Sequence, residues 1–426
     1  MSEIYNKTFK ILNKITFTIK NSFLMVLLYN IVLAIENKWV NSFLKKIYPS
    51  KNFLSILKKS EIIKNYIFHP IIILVVFAIF LMLSTQPLNL NLESTLIIAF
   101  IFFIIGAIVI PMNLKCNKII KFPYEDLYSL GLLLIIIGII FFFICIATVG
   151  GVPLLKPSLR YSLKPIFTMP VLLIIPGMCI LASVYTEKMK INLITRSQAR
   201  FRFLILLIIT SLFILSLGYR THLLSIILIL IILGYYGDII APWEVVIGAL
   251  LAIGLIIGIG YYRSLSEYAI TKATSPFYSL QSRADFTLNV LNKLNTIGGN
   301  YGVTHGHLIA SSIPGSEKSP RMIVGKLIAW RTEVSVTPTL IGQMVADFGK
   351  IGVAIEMTLL GFNLGIGFKI VKITKNYFYI GLYALIITYA ILGVETGILD
   401  IQVIIYYLIA LFIFIIIIFK SNINKN

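Results

Sequence analysis

Apolar residues run along this chain in blocks, without the polar stripe of a soluble amphipathic helix. Ten blocks stand out, near 66–85, 95–112, 127–149, 166–186, 203–218, 222–237, 243–262, 349–368, 378–394 and 401–419. A helix needs about 20 mostly apolar residues to cross the hydrocarbon core of a bilayer. The third block is the plainest: from Leu132 to Cys145 it holds only Leu, Ile and Phe, apart from Gly138 and Cys145 itself. The pattern predicts an all-α fold, a polytopic transmembrane helix bundle of about ten spans, with one large extracytoplasmic loop at 263–338. No internal repeat is visible, so an inverted-repeat transporter has no direct support.

Residues 1–65 follow a different pattern and are set apart from a membrane domain at 66–426. Lysines such as Lys7, Lys10, Lys14, Lys45, Lys46, Lys58 and Lys59 alternate with short apolar clusters such as Phe23–Leu28. This reads as basic amphipathic helices on the cytoplasmic membrane surface. An extra span at 21–35 is the competing reading. No small-residue cleavage site follows a short apolar core, so no cleavable signal peptide is expected.

Composition sharpens the class. The 426 residues are 58% hydrophobic and 13% charged, whereas soluble domains are about 45–50% apolar and about 25% charged. A water-soluble particle of this composition would expose large apolar patches. A soluble enzyme, a disordered chain and a secreted disulfide scaffold are excluded. The three cysteines, Cys116, Cys145 and Cys179, have no paired spacing, so neither a disulfide framework nor a thiolate metal site is indicated.

The net charge of +20 suggests nucleic acid only in a soluble protein. Here most basic residues lie on short connections, where they report orientation. With both termini cytoplasmic, the inner connections carry Lys115, Lys118 and Lys121, then Lys188, Lys190, Arg196, Arg200 and Arg202, then Lys369, Lys372 and Lys375. The outer connections 86–94 and 395–400 carry no Lys or Arg. The inner connection 238–242 has only Asp238 and does not discriminate.

Three outer segments break this rule. Loop 150–165 carries Lys156, Arg160 and Lys164; the turn 218–222 carries Arg220; the loop of about 75 residues at 263–338 carries Arg263, Lys272, Arg283, Lys293, Lys318, Arg321, Lys326 and Arg331. Long loops translocate whatever their charge, which accounts for 263–338 but not for Arg220 on a tight turn. Guanidinium groups bind phosphate oxygens in bidentate fashion and stay charged at physiological pH. Arginines at the outer edge of a bundle suit a lipid pyrophosphate and can stabilise a phosphate leaving group.

Three stretches carry a family resemblance. They are Gly150-Gly151-Val152-Pro153-Leu154-Leu155 followed by Arg160, then Leu217-Gly218-Tyr219-Arg220, and Thr337-Pro338-Thr339-Leu340-Ile341-Gly342-Gln343 followed by Asp347-Phe348-Gly349-Lys350-Ile351-Gly352-Val353 and Leu359-Leu360-Gly361. In these stretches, spread in patches over 150–365, the chain resembles the oligosaccharide repeat unit polymerases, the Wzy-type O-antigen polymerase group of cell-envelope proteins. The resemblance implies a multi-pass cell-membrane enzyme of polysaccharide biosynthesis. Such an enzyme transfers a polyprenyl-pyrophosphate-linked oligosaccharide onto another lipid-linked unit at the outer face. It implies no cofactor and no metal, membrane lipid as surroundings, no nucleic acid, and room for a flippase or chain-length regulator as partner. Arg160, Arg220, Arg283 and Arg331 are the expected pyrophosphate ligands. The family features outer-loop arginines followed by glycine eleven residues on; Arg331 and Gly342 match this, whereas Arg160, Arg220, Arg283 and Arg321 do not.

A general base could take the acceptor hydroxyl's proton. The candidates are His305, His307 and Glu333, with Asp285 a further carboxylate. The related ligases use a histidine of their large outer loop, and Thr304-His305-Gly306-His307 is the nearest feature here. The histidines also read simply as exposed polar loop, and Glu333 as an ion-pair partner of Arg331. His-x-His without a third ligand is a poor metal site. Asp347-Phe348-Gly349 spells a kinase triplet without the rest of a kinase and reads better as a helix start. Gly254…Gly258 and Gly361…Gly365 read as helix contacts. Glu356, inside an apolar run, is expected to face a cavity or a partner. A flippase for the same lipid and an O-antigen-ligase-like transferase remain the alternatives. The mostly Ile, Leu and Phe helices argue against the flippase.

Overall fold

The structure, a computed structural model, describes residues 67–112, 124–266, 275–329, 335–373 and 376–423. Among these residues every regular element is a helix. In chain order they are α1 (Ile72–Met82), α2 (Leu90–Ile104, continued by a π-helical turn Ile105–Val109), α3 (Tyr124–Val149), α4 (Pro165–Val171), α5 (Ile174–Lys190), α6 (Arg196–Ser216) and α7 (Arg220–Tyr236). They continue as α8 (Pro242–Ser266), α9 (Pro276–Gly298), α10 (His307–Ser311), α11 (Pro320–Ala329), α12 (Thr339–Ile373), α13 (Tyr377–Thr396) and α14 (Ile401–Ile423). Among the described residues six segments are long and apolar enough to cross a membrane: Leu90–Val109, Leu127–Val149, Pro165–Lys190, Arg196–Ser216, Thr339–Ile373 and Tyr377–Thr396. Shorter apolar helices, Ile72–Met82, Arg220–Tyr236, Pro242–Leu255 and Ile401–Ile413, occupy the other expected positions. The protein is an all-α polytopic membrane protein. Outward-facing Ile79, Phe143, Leu212 and Leu250 are exposed. That is the natural state of an apolar side chain whose solvent is hydrocarbon, where only internally hydrogen-bonded backbone is stable.

Two compact units divide the described chain, one holding 124–219 and 230–247, the other 67–112, 220–229 and 248–423. In the first, α3 lies against α5 at glycines. A Cβ on Gly177 would sit 2.8 Å from the Gly131 carbonyl oxygen, and one on Gly138 would sit 2.5 Å from Ile174 Cγ1. Small residues let the backbones approach, so packing replaces the hydrophobic drive that lipid cannot supply. Thr195 and Gln198 close a capping box at the start of α6. The connection after α7 is tied down by charge: Lys190 Nζ pairs with Asp238 at 2.5 Å, Arg200 pairs with Glu244 at 3.0 Å, and Arg196 and Arg200 both donate to the Ile239 carbonyl.

Helix α12 organises the second unit. It packs on α2 and its π-helical turn at Gly106, Gly361 and Gly365, where added Cβ atoms would lie 2.2–2.4 Å from facing carbonyl oxygens. The Gly361…Gly365 pair is thus a helix contact, as expected. Gly254 and Gly258 have nothing within 4 Å of an added Cβ, so they make no such contact among the described residues.

The described residues of the 263–338 segment are mostly helical: α8 runs on to Ser266, and α9, α10 and α11 follow. These fold with α12 around Val290, Leu294, Leu308, Ile323, Val324, Val336 and Ala346. The apolar positions of α9, among them Ala284, Leu288, Leu291 and Leu294, recur at helical spacing between polar residues. That is the signature of a helix covering a protein face, and a search for continuous hydrocarbon passes over it. The eighth span, expected from 349, is preceded by a further helical stretch from Thr339, and the two meet at a break at Gly349 (φ +63°, ψ −149°). The proposed N-terminal region 1–65, Cys116, Arg331 and Glu333 lie outside the described residues.

Candidate functional site

Helices α7 and α9 each carry an arginine to the end of α13. Arg283 Nε donates to Glu395 Oε1 at 2.7 Å, and Arg220 Nη2 donates to the same oxygen at 3.3 Å. Arg220, Arg283 and Glu395 are 175 and 112 residues apart in sequence yet share one atom. A third arginine, Arg321 on α11, pairs with Asp400 at 2.6 Å and lies within electrostatic range of Glu395. Among the described residues the cluster therefore sets three guanidiniums against two carboxylates. The Nε–H of Arg321 is buried and has no hydrogen-bond partner among the described residues. Tyr219 supplies no side-chain cap at the start of α7. The N-terminal end of the helix dipole adds to the positive field at Arg220.

Below the arginines lies a buried polar network. Gln402 donates to Asp400 Oδ2 at 2.9 Å and hydrogen-bonds His222. His222 Nδ1 lies 3.2 Å from the Tyr389 hydroxyl, which is also 3.2 Å from Ser225 Oγ and hydrogen-bonds Tyr406. His222, Ser225, Tyr389 and Tyr406 are all buried. In a membrane helix such groups are costly unless they satisfy one another, and here they form one chain leading to the Arg321–Asp400 pair.

The remaining candidates take other places. Arg160 lies in the first unit, on a 3₁₀ turn at Pro157–Ser162. There a Cβ on Gly218 would stand 3.1 Å from its Nε, so the positive-φ glycine makes room for the guanidinium. His305 and His307 are exposed. The backbone N–H of His305 donates to the Asp347 carbonyl at 3.0 Å. Asp285 is occupied: it accepts from Ser84 Oγ and Thr85 N at 2.6 Å and from Thr85 Oγ1 at 3.0 Å. Burial disfavours its charge, but these bonds and one from the Gln86 backbone outweigh that and hold Asp285 below the usual aspartate range. Glu356 Oε1 is buried without a hydrogen-bond partner among the described residues. No group of three metal-ligating side chains occurs among the described residues.

The family follows from comparison of the whole chain. Residues 66–407 match the family model described as "Putative O-antigen polymerase". The chain belongs to the O-antigen polymerase family. It is also 30% identical over 304 residues, covering 70% of this chain and 78% of the relative, to a protein of Methanocaldococcus jannaschii described only as uncharacterized. No solved structure matches it.

In this O-antigen polymerase family member the resembling stretches fall at turns and helix ends. Gly150-Gly151 leads into a segment whose Leu154 N–H donates to the Ser216 carbonyl at 3.0 Å, beside the Gly218-Tyr219 turn. Asp347-Phe348-Gly349 stands at the break in α12, where the second helical stretch starts as expected, and it is also a docking point. The Asp347 carboxylate is fully buried and accepts from Thr304 Oγ1, from Leu308 N at 3.0 Å and from Ile309 N at 3.0 Å. At Gly349 a Cβ would lie 2.3 Å from the Asn300 carbonyl carbon, which is why the break needs glycine.

Sequence reasoning missed Glu395, Asp400 and His222 as site residues and counted Arg321 only among the loop cations. A signal existed: each of Glu395, Asp400 and His222 is an ionisable group at or inside the end of an apolar block, as Glu356 is.

Proposed function

We propose that this protein polymerises oligosaccharide repeat units at the outer face of the membrane. It uses a polyprenyl-pyrophosphate-linked oligosaccharide as donor and a second lipid-linked unit as acceptor. The observation that carries this is the convergence of Arg220 and Arg283 on Glu395 Oε1, in a cluster with one guanidinium in excess and a free Nε–H on Arg321. One carboxylate shared by two guanidiniums holds them at the spacing of anion oxygens, ready for a diphosphate. In the reaction the acceptor hydroxyl attacks the anomeric carbon. The bond from that carbon to the diphosphate oxygen breaks, and the new glycosidic bond forms. The arginines meet the charge growing on the departing polyprenyl diphosphate, the most direct contribution these residues can make. The hydroxyl proton passes to a base, for which exposed His305 and His307 are the described candidates and Glu333 the third. Arg160 and Arg331 remain expected diphosphate ligands on the strength of the family resemblance alone.

The test uses purified protein in vesicles with a labelled lipid-linked repeat unit. The wild type yields longer glycans, and Arg283→Ala loses elongation by about a hundredfold or more while inserting normally, the scale of removing one transition-state donor. Relocation of label across the vesicle without longer glycans would mean a flippase. Transfer to a different acceptor, read by mass spectrometry, would mean a ligase. Wild-type elongation by both Arg220→Ala and Arg283→Ala would sink the assignment of these residues.

A further inference from the structure

The two carboxylates of the arginine cluster sit at opposite ends of one short connection. Glu395 closes α13 and Asp400 opens α14, where its carbonyl accepts from Val403 and Ile404. Between them the chain turns at Gly397, with φ +84°. The middle of this turn is held from α12 by one side chain. Gln343 Nε2 donates to the Leu399 carbonyl at 2.9 Å, and Gln343 Oε1 accepts from the Leu399 N–H at 2.9 Å. Gln343 is 1% exposed, so its amide reads the backbone of residue 399 as a neighbouring strand would. The fit is close: a Cβ on Gly397 would lie 2.8 Å from Gln343 Oε1 and 2.9 Å from Pro338 Cγ. The Leu399 side chain packs on the cluster of Val290, Leu294, Val324 and their neighbours, which holds the turn from its other side.

We infer that Gln343 is a positioning residue for diphosphate binding. It fixes the turn 397–400, and through Glu395 and Asp400 it sets where Arg220, Arg283 and Arg321 stand. This rests on the reading of the arginine cluster as the diphosphate site and adds how the cluster is held. No part of Gln343 needs to reach substrate. Its two hydrogen bonds are spent on the backbone, and buried amides left unpaired are unfavourable enough to make the arrangement unique. A leucine of similar volume at 343 would remove both bonds and leave the Leu399 N–H and C=O to find other partners.

The experiment measures binding of farnesyl diphosphate, a short-chain stand-in for the polyprenyl diphosphate, to full-length protein in nanodiscs, together with amide exchange by mass spectrometry. Four proteins are compared: wild type, Gln343→Leu, the double variant Arg220→Ala/Arg283→Ala, and Val290→Ala. The last trims the same apolar cluster without touching the amide clamp. Gln343→Leu is expected to bind roughly tenfold more weakly, the scale of one displaced charged hydrogen bond, and to lose exchange protection at 396–402. Val290→Ala is expected to bind as wild type does, which separates positioning from general loosening. Loss of binding in the arginine variant with wild-type binding in Gln343→Leu overturns this inference alone. So does unchanged protection at 396–402, or a loss of binding in Val290→Ala equal to that in Gln343→Leu. Absent binding in wild type, or full binding in the arginine variant, overturns the diphosphate reading and this inference with it.

Discussion

Replacing Asp347 by alanine tests a fully buried carboxylate outside the arginine cluster. The side chain is fully buried and accepts three hydrogen bonds, from Thr304 Oγ1 and from the backbone N–H groups of Leu308 and Ile309. The same stretch is bonded through the backbone, with Val303 and Thr304 donating to the Ala346 carbonyl and His305 to that of Asp347. In Asp347→Ala the Leu308 N–H, whose bond is buried, loses its acceptor at a cost of about 1–3 kcal/mol. The partly exposed Ile309 N–H and the Thr304 hydroxyl recover water in part, adding about 1 kcal/mol. A total of about 3 kcal/mol corresponds to roughly a hundredfold change in a local opening equilibrium. The loss falls on 299–311, because the helices below that segment keep their own packing. Amide exchange by mass spectrometry should then show residues 303–309 exchanging roughly a hundredfold faster, with residues 174–190 unchanged. Asp347→Asn keeps one acceptor oxygen and should show about a tenfold effect. Protection at 303–309 within about threefold of wild type in Asp347→Ala would refute the idea that this carboxylate holds the segment carrying His305 and His307.

The glycine contacts make a paired prediction. Gly361→Val drives a side chain toward the Phe103 carbonyl, 2.4 Å from the added Cβ, and should lower thermal stability in detergent by at least 1–3 kcal/mol. Gly254→Val meets nothing within 4 Å and should leave the melting temperature unchanged or raised; equal losses in both would contradict the packing account. Asp285 gives a pH window. Because its folded value is depressed, its contribution is complete above the ordinary aspartate value of about 3.9 and disappears as pH falls through the lower folded value. Relative to Asp285→Asn, wild type should therefore protect the Thr85 and Gln86 amides equally from pH 8 to pH 5. The difference should shrink only below the ordinary aspartate value of about 3.9 and vanish once pH is under the lower folded value, and a difference that rises on acidification would invert the argument.

The fold class was legible from residues alone because a bilayer asks for something simple. Hydrocarbon of the right length, as in the block 127–149, needs no partner to declare itself. The same holds for Gly361…Gly365, where small residues in an apolar run foretell close helices. Of the site, Arg220 could be singled out as a charge on a tight turn that runs against the expected insertion bias, whereas Arg283 was one of the long loop's cations, and nothing in their order along the chain joins them. Helices α9 to α11 stayed hidden, since an amphipathic helix lying on protein is patterned for a neighbour whose place the sequence does not state.

Which partner each polar group meets was decided only by the tertiary structure. Glu395 gathers Arg220 and Arg283 from more than a hundred residues away, Gln343 grips the backbone of Leu399, and Asp347 receives the amides of α10. A hydrogen bond acts over about 3 Å, so its formation depends on where two backbones cross. Chain order carries no record of that crossing, whereas the preference of a side chain for hydrocarbon belongs to the residue itself and can be read wherever it stands.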